Sequence, residues 1–377
     1  PIHAKLNYGL MVFIRAQMTY MHGVYLCSAA TIAIRYSSVR RQGRIEKDSQ
    51  REVQVLDYQT QQYRLFPQIA RAYAFLFTGF EIMNIYNETM DGIDKGETDL
   101  LPDLHALTSG LKSVVTFIAG SGIEQCRMAC GGHGYSEASG LPKIYGIAIA
   151  GCTYEGENMV MLQQAARYLL KSVETAARGE PLSYSVKFLG KKGERRSRVG
   201  MQAEADDQEI ETLLSSLEHI ARRLTVEASQ EFEKRVKMGE TRERAWIELT
   251  VEINRAARVY TRLFIAQSFH RRVVAAPSSL RPVLTDLLSL YLHYECVDMA
   301  HHLLHDGHFT GDQINYLKKR IYEDLRKIRP NAVSLVDSFD HSDRLLNSVL
   351  GKRDGNVYDA LFQWAKNSEL NYTDVSM

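Results

Sequence analysis

Apolar residues in this 377-residue chain recur at intervals of three and four almost from end to end, and strand-like alternation is scarce. Leu104, Leu107, Leu111, Val114 and Ile118 show the pattern most clearly. A chain patterned this way buries its apolar surface by packing helix against helix. The spacing predicts long helices over 6–38, 54–88, 104 to about 130, and 155–178, the last stopped by Gly179-Glu180-Pro181. Four helices of that length predict an up-and-down bundle. Residues 87–102 and 131–152 are expected as loops. Periodicity fades from Gly179 to Asp207 and resumes at 208–236, 242–276, 281–305 and 312–328, with a last helix near 355–367. The expected architecture is all-α: a four-helix bundle over 1–178, a linker over 179–206 and a second helical bundle over 207–377.

Charge is balanced, 46 basic against 45 acidic residues, which implies no general attraction to nucleic acid or an anionic membrane. The apolar run over 10–34 carries Arg15, Gln17 and His22, so it reads as a buried helix and no membrane span is expected. Five cysteines are too few for a disulfide framework in a chain this size, and reduced thiols are expected. Cys126 and Cys130 share a helix face, but no second ligand pair lies near them. His301, His302, His305 and His308 are clustered, with His301 and His305 at metal-ligating spacing. The acid of a His-Glu-x-x-His motif is missing there, so a solvated helix end is expected and no metal. The basic run over 191–198 could bind phosphates, but without interleaved aromatic residues it reads as a solvated linker. The chain opens at Pro1 in mid-pattern, without an initiator Met or signal peptide, as a fragment or processed chain would. Its closing Val375-Ser376-Met377 carries no recognised address signal.

Two segments stand out against this background. In Gly151-Cys152-Thr153-Tyr154-Glu155-Gly156-Glu157-Asn158, a carboxylate flanked by an aromatic residue and a glycine enters a helix. Such an acid can be a general base, or it can simply complement the helix dipole. In Ala129-Cys130-Gly131-Gly132-His133-Gly134-Tyr135, the glycines either cap a helix and turn the chain or let backbone approach a flat cofactor.

These segments, with Tyr36, Arg40-Arg41-Gln42 and Gln59-Thr60-Gln61-Gln62 upstream, resemble the acyl-CoA dehydrogenase/oxidase superfamily. The full Cys152 to Asn158 loop, together with Arg329-Pro330-Asn331-Ala332-Val333 and Asp354-Gly355-Asn356-Val357-Tyr358, is similar to the peroxisomal acyl-CoA oxidases. The resemblance implies that the chain corresponds to the carboxy-terminal helical portion. Its first bundle would be like the carboxy-terminal domain of an acyl-CoA dehydrogenase, with a helical and a β-domain ahead of it. It further implies a peroxisomal homodimer that binds FAD. That enzyme oxidises an acyl-CoA to the trans-2-enoyl-CoA and reduces O2 to H2O2, the first step of peroxisomal fatty acid β-oxidation. Glu155 falls at the position of the base that removes the α-proton, where exclusion of water should raise its proton affinity. The thioester carbonyl would be held by the backbone N–H of Glu155 and a flavin hydroxyl. Arg40 and Gln59 match positions that reach the flavin across the dimer, and Cys130, Gly131 and Gly132 match the backbone along it. Tyr154 and Glu157 are also carried over as cofactor neighbours, and Arg15, Tyr154 and Gly156 as substrate neighbours. Two other readings stay open: an acyl-CoA dehydrogenase serving an electron-carrier protein, and a non-catalytic helical dimerisation module. The large second helical domain and the Cys152 to Asn158 loop favour the oxidase.

Overall fold

Helix is the only regular secondary structure in the computed structural model, which describes residues 2–44, 51–191, 196–200 and 206–372. Among these residues the only ladder-type contact is one isolated bridge between Arg41 and Gln54. The first half comprises α1 (Ile2–Val39), α2 (Gln59–Asp94), α3 (Leu101–Ala129), α4 (Leu141–Ala150) and α5 (Asn158–Ala177). The second comprises α6 (Asp206–Lys237), α7 (Thr250–Val274), α8 (Arg281–Asp298), α9 (Gly311–Ile328) and α10 (Val357–Lys366), with short turns between.

α1 is buried as its composition requires, for Ala16, Leu26, Ala29, Ile32, Ala33 and Ile34 are shielded from solvent. It packs along both α2 and α3, and α3 packs in turn on α5. Close approach of α1 and α2 depends on a missing side chain. A Cβ at Gly79 would lie 2.8 Å from the Tyr20 Cα, so no other residue fits there without moving the backbone. Among the described residues, α3 alone is long and apolar enough to cross a membrane by length and composition, and 83% of its apolar window is buried among its neighbours.

Several boundaries differ from the sequence expectations. Residues 131–152 are not a loop: they hold short turns at Gly132–Tyr135 and Glu137–Ser139, followed by α4. Gly140, at φ 74, ends one turn while Pro142 starts the next, and α4 is too short and too uniformly apolar to show a period. α2 runs on through the polar residues to Asp94, and the fourth long helix begins at Asn158 instead of Glu155. The helix expected over 242–276 breaks at Leu249, and that over 281–305 breaks at Met299; both residues are turned into the core. The stretch after Arg329 is also largely helical, with Ala332–Asp337 and Asp343–Leu346.

Part of the expected linker is packed. Residues 184–190 bury Ser185, Val186 and Phe188, and Ser185 donates to Asp103 of α3 while accepting from Tyr260 of α7 at 2.8 Å. Of the basic run, residues 192–195 lie outside the described residues, as do Val375, Ser376 and Met377. Lys191 pairs with Glu218 at 2.7 Å. The histidine cluster is only partly solvated, since His302 is buried and the buried His308 stacks on His219 with ring centres 3.9 Å apart. Burial and the neighbouring His301 pull His302 down to about 4.

The two halves are joined by a buried ionic node. Glu295 of α8, only 1% exposed, receives Arg71 of α2 at 2.9 Å and Arg262 of α7 at 2.6 Å. Burial alone would push its carboxyl up, but the two guanidiniums outweigh that and hold it below its ordinary value. A carboxyl depressed in this way adds stability above the ordinary carboxylate range and loses it as pH falls through its folded-state value. Glu295→Gln is therefore expected to cost about 3 kcal/mol at neutral pH. Denaturant titrations of the two proteins should show that gap narrowing below about pH 4; a gap independent of pH would contradict the ionic account.

Candidate active site

α1 and α3 hold the Cys152 to Asn158 loop between them. From α1, Arg15 is buried and its Nε donates to the Glu155 backbone carbonyl at 3.2 Å. From α3, Lys112 Nζ donates to the Gly156 carbonyl and to Asn158 Oδ1, the latter at 2.9 Å. Ser113 Oγ donates to the Asn158 carbonyl at 3.0 Å, and Asn158 Nδ2 donates to Thr116 Oγ1 at the same distance. Between these anchors the backbone is left-handed at two successive residues, Glu155 with φ 57 and Gly156 with φ 99. For a glutamate this region costs roughly 1–2 kcal/mol, so the surroundings must impose it.

This geometry separates the two readings of Glu155. The helix-capping acid is Glu157, whose Oε2 accepts from the backbone N–H groups of Met159 at 2.8 Å and Val160 at 3.3 Å. Glu155 lies outside the helix and caps nothing. Among the described residues its backbone N–H also meets no acceptor. Tyr154 beside it is 45% exposed. The charges beneath the loop are cationic. Burial pulls the Lys112 ammonium down to about 8, while Cys152, Glu157 and Glu155 nearby favour its charge. Burial lowers His22, and burial together with Arg15 lowers His105, which favours neutral imidazoles.

A second constellation forms where α1 ends. Arg40, Cys130, Gly131 and Gly132 line one cleft of about 550 Å³, together with Tyr36 and His133. Gly131 has φ 60 and ψ −144, a conformation open essentially to glycine alone. A Cβ on either Gly131 or Gly132 would meet nothing within 4 Å, so the pair forms a bare backbone ledge facing open space. Burial pushes the Cys130 thiol up to about 12, leaving it protonated and inert. Gln61, part of the upstream glutamine motif but given no role of its own there, ties this cleft together by donating to Ser37 Oγ at 3.0 Å and the Ala129 carbonyl at 2.9 Å.

Not every expected residue joins these two groups. Gln59 lines a neighbouring cleft with Tyr63 and Arg71, although Thr60 borders both. Glu157 faces a third cleft with Cys152 and Phe117, consistent with its capping job. Lys112 and Asn158 were missed. The available signal was that Lys112 is the only Asp, Glu, Lys or Arg between Asp103 and Glu124.

A half-buried acid on an imposed left-handed turn and an open glycine ledge, both carried by helices, make up the candidate site. Residues 8–170 match the family described as acyl-CoA oxidase, C-alpha1 domain, and residues 209–377 match acyl-CoA oxidase. The chain belongs to the acyl-CoA oxidase family. It is 53% identical to acyl-coenzyme A oxidase acox-1.4 of Caenorhabditis elegans, over all of this chain and 55% of that protein. It is 41% identical to peroxisomal acyl-coenzyme A oxidase 1 of Rattus norvegicus, over all of this chain and 57% of that one. The chain thus spans little more than half the length of the curated relatives it matches. Among solved structures, acyl-CoA oxidase-1 of Caenorhabditis elegans in complex with FAD and ATP superposes with a TM-score of 0.94 at 50% identity, over 97% of this chain and 55% of that one. Acyl-CoA oxidase-2 of the same organism, bound with FAD, ascaroside-CoA and ATP, gives 0.93 at 51% identity, over all of this chain and 55% of that one.

The division of labour between the two acids is testable by thermal unfolding. Glu157→Ala, which removes the cap, should lose about 1 kcal/mol. Glu155→Gly should be neutral or gain up to about 1 kcal/mol, because glycine accepts the left-handed turn freely. A larger loss at Glu155 than at Glu157 would reverse the assignment.

Proposed function

We propose that this chain is the carboxy-terminal helical portion of an FAD-dependent acyl-CoA oxidase. The enzyme converts an acyl-CoA to the trans-2-enoyl-CoA with O2 as acceptor, as a peroxisomal homodimer. The division we favour places a catalytic bundle over 1–178, a linker over 179–206 and a second helical domain over 207–377. Membership of the family supports the reaction, and the relatives crystallised with FAD support the cofactor. The single observation that carries the assignment of the base is the left-handed Glu155, held from both sides without any structural task of its own.

Bound FAD would supply the two-electron acceptor that takes the β-hydrogen as hydride and returns the electrons to O2 as H2O2. The residues fit such a group: the ledge at Gly131 and Gly132 is open to a flat ring, and Arg40 offers donors at its rim. Gln59, Tyr154 and Glu157 are assigned to the cofactor's outer contacts. Glu155 removes the α-proton of the acyl-CoA. That proton is very weakly acidic, so charge developing on the thioester oxygen must be stabilised as the base acts. The backbone N–H of Glu155, without an acceptor among the described residues, is the donor assigned to that oxygen. Arg15 and Gly156 set the turn, and Tyr154 covers the outer side of the acyl-CoA. A homodimer would complete a cofactor site that this half of the subunit presents as an open cleft, linking flavin binding to assembly.

In the complete subunit, Glu155→Gln should lower peroxide formation from an acyl-CoA by at least about 1,000-fold while the visible spectrum still shows bound flavin. Turnover within tenfold of the parent enzyme would remove Glu155 from the role of base.

A further inference from the structure

Lys112 has two properties seldom found together. It is fully buried, and among the described residues no carboxylate pairs with it. Its partners are the neutral oxygens of Gly156 and Asn158, the residues that flank Glu157 in the catalytic loop. A methionine would fill the same space in this apolar stretch of α3 without the desolvation cost of a cation. The neighbouring residue and the next turn of α3 continue the grip, with Ser113 on the Asn158 carbonyl and Thr116 on its amide.

We propose that Lys112 is the positioning residue that fixes the Glu155-Gly156 turn from beneath, so that the carboxylate above it is presented in one orientation. The proposal rests on the reading of Glu155 as the α-proton base. Arg15 from α1 fixes the preceding carbonyl, so the two successive peptide groups on either side of the Gly156 Cα are each held by a cation from a different helix. The charged and titratable groups facing Lys112 are Arg15 and His22 on α1, and Cys152, Glu155 and Glu157 on the loop. The acids favour the ammonium, whereas Arg15 and burial oppose it, leaving its proton loss at about 8. Above that pH the amine donates more weakly to the Gly156 carbonyl, and the turn loosens.

The test is flavin reduction by saturating acyl-CoA under anaerobic conditions, across pH 6–10, in the complete flavin-loaded enzyme and in its K112Q and K112R forms. Flavin content and unfolding midpoint are measured alongside. K112Q should slow reduction about 100-fold, with KM within about threefold, and should lose the alkaline fall centred near 8. K112R, which keeps its charge, should restore at least a tenth of the rate and move the fall to higher pH. Should K112Q not fold, an alkaline fall in K112R unmoved from that of the parent would overturn the proposal. So would K112Q reducing flavin at the parent rate in an enzyme that E155Q inactivates. Parent-like rates in both E155Q and K112Q would instead overturn the base itself, and the role of Lys112 with it.

Discussion

The contact of α1 with α2 and α3 is the constraint on which the rest of the molecule depends. Gly79 allows α2 to touch the α1 backbone at Tyr20, and the alanines of α1 let α3 approach another face. That packing fixes a spine from which both halves of the site hang. Arg15 projects from it beneath the Glu155 loop, and Tyr36 and Arg40 project from its far end beside the glycine ledge. Neither group could be placed independently of the other, since one rigid helix carries both.

The loop between α4 and α5 shows how such a scaffold can hold a conformation that its residues would not choose. Two successive left-handed residues, one of them a glutamate, are stable because Arg15, Lys112, Ser113 and Thr116 take up their carbonyls and the following asparagine. Glu157 separately satisfies the free N–H groups of α5. The local cost at Glu155 is thus offset by contacts made by its neighbours, which leaves its own carboxylate uncommitted.

The second half packs broadly against the first, and specific polar contacts cross the junction. Glu295 gathers Arg71 and Arg262 across the junction. Arg329 reaches Asp57 and Gln54, each at 2.7 Å, and Tyr358 lies 3.4 Å from Arg40. The two motifs that set this half apart in sequence, around Arg329 and around Tyr358, therefore both bear on the connection between α1 and α2 that borders the glycine cleft.

Much of the architecture was legible in the chain. Apolar spacing located the long helices, because a face buried at every third or fourth residue leaves a period to read. It failed where burial has no period: α4 is short and apolar but for Lys143, and the breaks at Leu249 and Met299 are made by residues that look like ordinary core positions. Glu155 stood out by its flanking tyrosine and glycine, yet its place outside the helix was hidden, since backbone handedness leaves no mark on a glutamate. Lys112 stood out only as a lone charge in an apolar helix, and its role was hidden for a similar reason. A single lysine in an apolar helix gives no hint of the carbonyls that a distant loop brings to it.

In the proposed site, Glu155 faces the α carbon of an acyl-CoA lying against a flavin seated on Gly131 and Gly132. A crystal structure of the complete flavin-loaded subunit with a non-oxidisable acyl-CoA analogue measures this directly. The expected structure has a Glu155 carboxylate oxygen about 3–3.5 Å from the α carbon, with the flavin ring along the glycine ledge. A Glu155 carboxylate turned to solvent, or a flavin seated away from Gly131 and Gly132, would contradict it.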